Sequence, residues 1–121
     1  MASTLSPITP GDVLLEEFIK PMGISQNKLA KDICVPANRI SQIINGKREI
    51  TADTALRLGK YFGIEPEFWL NLQVRYNMKI AKKKIGEIIE KEVKHHFYPE
   101  NKQKALIVQP VDLTYKAEQS H

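Results

Sequence analysis

The chain has 121 residues, 42% of them hydrophobic, and a formal charge of +4, which is one domain's worth of sequence with enough apolar content for a modest core. Its single cysteine, Cys34, excludes an intrachain disulfide and a cysteine-rich zinc site, and no apolar run approaches the length that spans a bilayer. The basic balance permits a polyanionic partner without requiring one.

Residues 1–9 read as an N-terminal arm. They carry neither the basic start nor the apolar stretch of a secretory signal, so a cytoplasmic protein is expected. In Thr9-Pro10-Gly11-Asp12, Thr9 is a helix cap, Pro10 fits a first turn and Asp12 sits near the positive helix end. Leu14, Leu15, Phe18 and Ile19 supply that helix's buried face, and it is expected to stop before Pro21 and Gly23. Ser25 caps a second helix, and Ile24 is placed to pack on Leu29 as a hydrophobic staple. Leu29, Ala30 and Ile33 recur at helical spacing, and Cys34, at the end of that face, reads as a small buried hydrophobe.

Pro36 cannot donate a backbone hydrogen bond and disfavours helical geometry at Val35, so the chain breaks there and restarts with Pro36 or Ala37 in a first turn. Ile40, Ile43 and Ile44 then share one face, leaving Asn38, Arg39, Ser41, Gln42 and Asn45 on the others. Gly46 can end this helix in the left-handed conformation, with Lys47 and Arg48 in a loop. Thr51 or Asp53 opens a fourth helix with the face Ala55, Leu56, Leu58, Gly59 and Phe62, closed by Gly63. Pro66 opens a fifth, with Phe68, Trp69, Leu72 and Tyr76 toward the core. The expected fold is therefore all-α, a five-helix body.

From residue 82 to 97 the pattern is that of an amphipathic helical extension, with Ile85, Ile88, Ile89 and Val93 set among Lys and Glu. Its stripe packs either on its own domain or on a partner. Residues 98–121 read as a mobile tail in which Ala105–Val108 is the strand-like run. His95 and His96 are adjacent and cannot share a helical face at metal-ligand spacing, so no metal site and no cofactor are expected.

Two short helices joined by a tight turn over Ile24 to Arg48 outline a DNA-reading helix-turn-helix. Basic residues Lys28, Lys31, Arg39, Lys47 and Arg48 face one acid there, Asp32, a local excess as large as the whole chain's. A recognition helix starting near Pro36 would enter the major groove by its N-terminal end, bringing Ala37, Asn38, Arg39, Ser41, Gln42 and Asn45 toward the duplex. Arg39 and Gln42 are the leading base readers, since Arg pairs bidentately with a guanine edge and Gln with an adenine edge. Ser25, Gln26 and Asn27 open the preceding helix where backbone and side-chain donors meet phosphates. Lys28, Lys47 and Arg48 are the expected phosphate contacts, with affinity falling steeply in salt. The competing account of each is a solvated polar face or, for Ser25, a cap. Nucleophile, zinc-protease and phosphate-loop motifs are absent, and Asp12, Glu16 and Glu17 read as a solvated face, so no enzyme is expected.

Pro10 to Ala81, and most specifically RISQIINGKREIT (39–51) and PEFWLNLQ (66–73), closely resemble the HigA (VapI-like) antitoxins of the phage-repressor-like helix-turn-helix class. The resemblance implies a five-helix DNA-binding domain over residues 10–81, a homodimer, a palindromic operator, and an operon shared with a small HigB-like mRNA endonuclease toxin that the antitoxin neutralises. Ile64, Leu72 and the helix from Pro66 are then candidates for the dimer seam, with two recognition helices about 34 Å apart. The alternative is a stand-alone regulator of phage-repressor or controller type without a toxin. The helix-turn-helix alone does not separate the two.

Overall fold

A computed structural model describes residues 8–102. Five helices follow one another between residues 10 and 92, residues 100–102 are again helical, and among the described residues there is no strand. Helix α1 is continuous but built in three stretches, α-helical at Pro10–Val13, π-helical at Leu14–Ile19 and α-helical again at Lys20–Met22. The others are α2 (Gln26–Asp32), α3 (Ala37–Ile44), α4 (Ala52–Phe62) and α5 (Pro66–Glu92).

The helix starts follow from local chemistry. Thr9 and Asp12 form a reciprocal capping box at the head of α1, the Asp12 amide donating to Thr9 Oγ1 at 3.0 Å and the Thr9 amide to Asp12 Oδ2 at 3.2 Å. Ser25 Oγ accepts from the Lys28 amide at 2.9 Å and caps α2. Pro66 occupies the first turn of α5, as its spacing predicted.

The end of α1 differs from the expectation. The helix runs through Pro21 and stops only at Gly23, which adopts φ +66°. Pro21 has no amide to give and its ring crowds the carbonyl four residues back. It lies two residues beyond the π stretch, where bonding to the fifth residue back, as from the Lys20 amide to the Leu15 carbonyl, opens the helix.

The core comprises Leu14 and Ile19 of α1, Leu29, Ala30 and Ile33 around α2, Ile40 and Ile43 of α3, Ile50, Ala55 and Leu58, and Trp69 of α5. Trp69 is fully buried and anchors an aromatic cluster, its ring centroid 4.8 Å from Phe18, 5.9 Å from Phe62 and 5.0 Å from Phe68. Two positions expected on the buried faces lie outside: Leu56 is 61% exposed, and Phe68 stands at the rim of the cluster. On α4 the inward stripe is Thr54, Ala55, Leu58 and Gly59, so Leu56 falls one residue beyond it, where the 100° step turns a side chain outward.

Gly11 brings α1 against the third helix. A Cβ there would overlap the Ile43 carbonyl oxygen and come within 2.7 Å of Ile44 Cα, so only glycine permits that approach.

The chain divides into two units after Glu87. In the second, helix α5 ends at Glu92, residues 93–99 have no regular structure, and the described side chains are exposed, including Ile88, Ile89 and Val93. The helical extension expected over 82–97 thus stops five residues short. Most of the N-terminal arm, residues 103–121 of the tail and the Ala105–Val108 run lie outside the described residues.

Candidate nucleic-acid interface

Helices α2 and α3 are joined by a four-residue turn, Ile33 to Pro36. Helix α2 ends in a Schellman motif, in which the Cys34 amide donates to the Lys31 carbonyl at 3.2 Å and the Val35 amide to the Ala30 carbonyl at 3.0 Å. That motif needs a left-handed residue, and here it is Cys34, at φ +63°. The expectation of a buried cysteine is therefore corrected. Cys34 is exposed because the left-handed position turns its side chain away from the apolar face that Leu29, Ala30 and Ile33 share.

Helix α3 starts at Ala37, with Pro36 extended at ψ 146° in the cap position. On this helix Asn38, Ser41, Gln42 and Asn45 form one stripe at i, i+3, i+4 and i+7, opposite the buried Ile40 and Ile43. Asn38 and Asn45 are exposed, and Ser41 and Gln42 are half-buried. The Ser41 hydroxyl donates back to the Asn38 carbonyl at 3.1 Å. Arg39 stands at the edge of the stripe, half-buried, with its Nε buried and without a partner.

Beyond α3 a second Schellman motif closes the helix. Gly46 takes φ +75°, its amide donating to the Ile43 carbonyl at 3.1 Å and the Lys47 amide to the Gln42 carbonyl at 2.8 Å. Lys47 and Arg48 then lie exposed in the loop, and Arg48 Nη1 donates to Gln42 Oε1 at 3.4 Å, joining two of the candidate contact residues. At the head of α2, Ser25, Asn27 and Lys28 are exposed and Gln26 is half-buried, while Ala37 is exposed at the head of α3. Lys28 Nζ also pairs with Asp32 at 3.0 Å. That hydrogen bond raises the lysine above its ordinary range, and with a second from the Tyr61 hydroxyl, at 2.9 Å, it holds the Asp32 carboxyl below its own.

Two residues that sequence reasoning passed over, Arg57 and Gln73, hold this arrangement. Arg57 of α4 reaches the turn, its Nη1 donating to the Ile33 carbonyl at 2.8 Å and the Cys34 carbonyl at 3.3 Å, while its Nε donates to Asp53. Gln73 of α5 is buried, its Oε1 accepting from the Ile50 amide at 2.8 Å and its Nε2 donating to Asn77 Oδ1 at 3.1 Å. For Gln73 the signal was available. It stands four residues after Trp69 on an apolar helical face, and a polar side chain placed there needs a buried partner. Arg57 and Asp53 offered only an ordinary i,i+4 pair. Among the described residues there is no cluster of three or more His, Cys, Asp or Glu placed to hold a metal ion, and no helix long and apolar enough to cross a membrane.

A helix-turn-helix family model matches residues 15–69, the span from α1 to Trp69. The virulence-associated protein I of Dichelobacter nodosus is 51% identical over 74 residues, covering 61% of this chain and 68% of that protein. An addiction-module antidote protein of the HigA family from Coxiella burnetii has a solved structure 55% identical to this chain, with a TM-score of 0.72 over 75% of this chain and 99% of its own. The Pseudomonas aeruginosa antitoxin HigA, solved with the higBA promoter, is 38% identical with a TM-score of 0.72 over 75% of this chain and 99% of that one. With the five-helix body, the turn after α2 and relatives matched over nearly their whole solved length, the chain belongs to the HigA (VapI-like) family of helix-turn-helix antitoxins.

Proposed function

We propose that this chain is a DNA-binding antitoxin that represses its own operon and neutralises a small toxin encoded with it, an mRNA endonuclease of HigB type. What carries the DNA half of this reading is the polar stripe on α3, flanked by Lys47 and Arg48 and opposed to a fully apolar inner face. Asn38, Arg39, Ser41, Gln42 and Asn45 reach base edges in the major groove, with Arg39 and Gln42 the main readers. Ser25, Gln26, Asn27, Lys28, Ala37, Lys47 and Arg48 meet the phosphate backbone and fix the register. A homodimer sets two such helices one duplex turn apart, about 34 Å, so the operator is palindromic. The family relative solved with its promoter supports this half, and membership of an antitoxin family supports the toxin half. The protein works in the cytoplasm, beside its operon, and carries no catalysis of its own.

The test is co-expression with the product of the adjacent small reading frame, scoring growth and co-purification, with a promoter-DNA shift on the same preparation. Growth rescue and a stable complex establish the antitoxin, and Arg39→Ala is then expected to weaken discrimination at one operator base by about 1–3 kcal/mol. A shift without rescue or complex leaves a stand-alone regulator. Loss of all salt-sensitive DNA affinity removes the interface assigned to α3.

A further inference from the structure

We propose that Arg57 is a positioning residue for DNA reading, held by Asp53 and tying the turn that sets the entry of α3, without touching DNA itself. The inference rests on the DNA-binding reading above and adds to it a residue outside the helix-turn-helix.

The turn from Ile33 to Pro36 leaves carbonyls beyond the reach of the two Schellman hydrogen bonds. Arg57 supplies donors to two of them, at Ile33 and Cys34, from a residue 24 positions downstream on another helix. Its side chain is half-buried, and its third contact, Nε to Asp53 Oδ1, fixes the guanidinium plane. A planar fork can serve two carbonyls and a carboxylate at once, whereas the compact ammonium of lysine cannot span them.

Asp53 is held below the usual carboxylate range first by the Arg57 hydrogen bond and further by the nearby charge of Arg39. Because α3 begins three residues after Cys34, a change of backbone angle at the turn moves every side chain of the stripe together. Displacements of that kind degrade base contacts before they degrade contacts to phosphates, which accept a wider range of geometry.

The experiment compares wild type, Arg57→Lys, Arg57→Gln and Asp53→Asn, each first checked for native helicity. Binding to a duplex from the chain's own promoter and to an unrelated duplex of equal length is titrated over a range of KCl, with amide hydrogen exchange of the turn on the same proteins. The ratio of promoter to unrelated affinity is expected to drop about tenfold or more for both Arg57 variants. Lysine should fail to rescue, non-specific affinity and its salt slope should stay unchanged, and the Cys34 and Val35 amides should exchange faster. Asp53→Asn should show a smaller drop of the same kind. A salt slope reduced by about one with lysine restoring affinity would make Arg57 a phosphate contact and overturn the inference. An unchanged ratio in folded variants would overturn it alone. A wild-type protein that makes no distinction between the two duplexes would remove the DNA reading itself, and this role with it.

Discussion

The two ends of the recognition helix use one backbone motif and differ in everything that secures it. Before α3, the Schellman turn puts a cysteine in the left-handed position and is tied by Arg57, an ion-paired group with access to water. After α3, the same motif uses glycine, and the loop that follows is tied by Gln73, a buried neutral amide bonded to the Ile50 amide. Gly11 of α1 presses on this second end as well, against Ile43 and Ile44. The contrast separates two tasks. Buried, dry contacts anchor the helix to the core, while solvent-accessible charges set its angle at the turn.

Removing the buried tie should have the largest effect. Gln73→Leu keeps the volume and apolar surroundings but leaves the Ile50 amide buried without an acceptor, which costs about 1–3 kcal/mol. A fall in melting temperature of about 4–8 °C per kcal/mol is the expected reading by circular dichroism. A variant as stable as wild type would mean that the Ile50 amide finds another partner and that the second end is no better anchored than the first.

Next in size is Gly46→Ala. No atom would crowd the added Cβ, so the whole effect is the left-handed backbone. Forcing an L-residue there costs about 1–2 kcal/mol, of which reduced freedom in the unfolded chain returns part. A net loss of about 1 kcal/mol is expected from denaturant midpoints at unchanged m-value. A larger loss would reveal crowding that the folded backbone does not show.

These substitutions also mark what the sequence disclosed. Thr9, Ser25, Gly46 and Pro66 were legible as helix boundaries because each acts within four residues of itself, through its own side chain or its own φ. The alternation of Ile40, Ile43 and Ile44 with polar neighbours was equally local and gave the two faces of α3. Cys34 departs from the burial its residue type suggests, because burial tendency describes a side chain, whereas its placement is decided by a backbone motif that ordinarily selects glycine or asparagine. Arg57 and Gln73 act across 24 and 23 residues, and which carbonyl or amide they meet depends on how three helices pack. Leu56 and Phe68 mark a different limit, since an apolar residue at the margin of a helical face is decided by what stands opposite it.

Cys34→Gly is the mirror of Gly46→Ala and should have a smaller effect of opposite sign. It relieves a left-handed L-residue but adds freedom to the unfolded chain, for a net gain of about 0.5–1 kcal/mol. Placing glycine at both ends should make them alike in backbone cost, so any remaining difference in amide exchange between Val35 and Lys47 would belong to Arg57 and Gln73. A loss of stability would show that the cysteine side chain makes a contribution its exposure does not suggest.

The smallest expected effect is in acid, and it should appear at one end only. The carboxyls of Asp32 and Asp53 both stand below the ordinary aspartate value of 3.8 in the folded protein, Asp32 chiefly through its hydrogen bonds from Lys28 and Tyr61 and Asp53 through that from Arg57. A carboxyl lowered by folding stabilises the native state fully above its unfolded value, and that contribution is lost as pH falls through the depressed native one. The turn should therefore loosen below about pH 4, while the Gln73 tie, which has no proton to gain in that range, should not. Lys28 and Tyr61, both raised, carry the opposite sign, so their share is intact below about pH 10 and lost above it. Both aspartates are open to solvent, so screening by salt should shrink the acid effect further. Amide exchange at pH 3 and pH 6 decides the matter once corrected for the intrinsic rates: protection should fall at Cys34 and Val35 and hold at Ile50, and the difference should vanish in an Asp32→Asn, Asp53→Asn double variant. Equal loss at Ile50 would mean that the two ends share one cooperative opening, and the division between a dry anchor and a charged hinge would not stand.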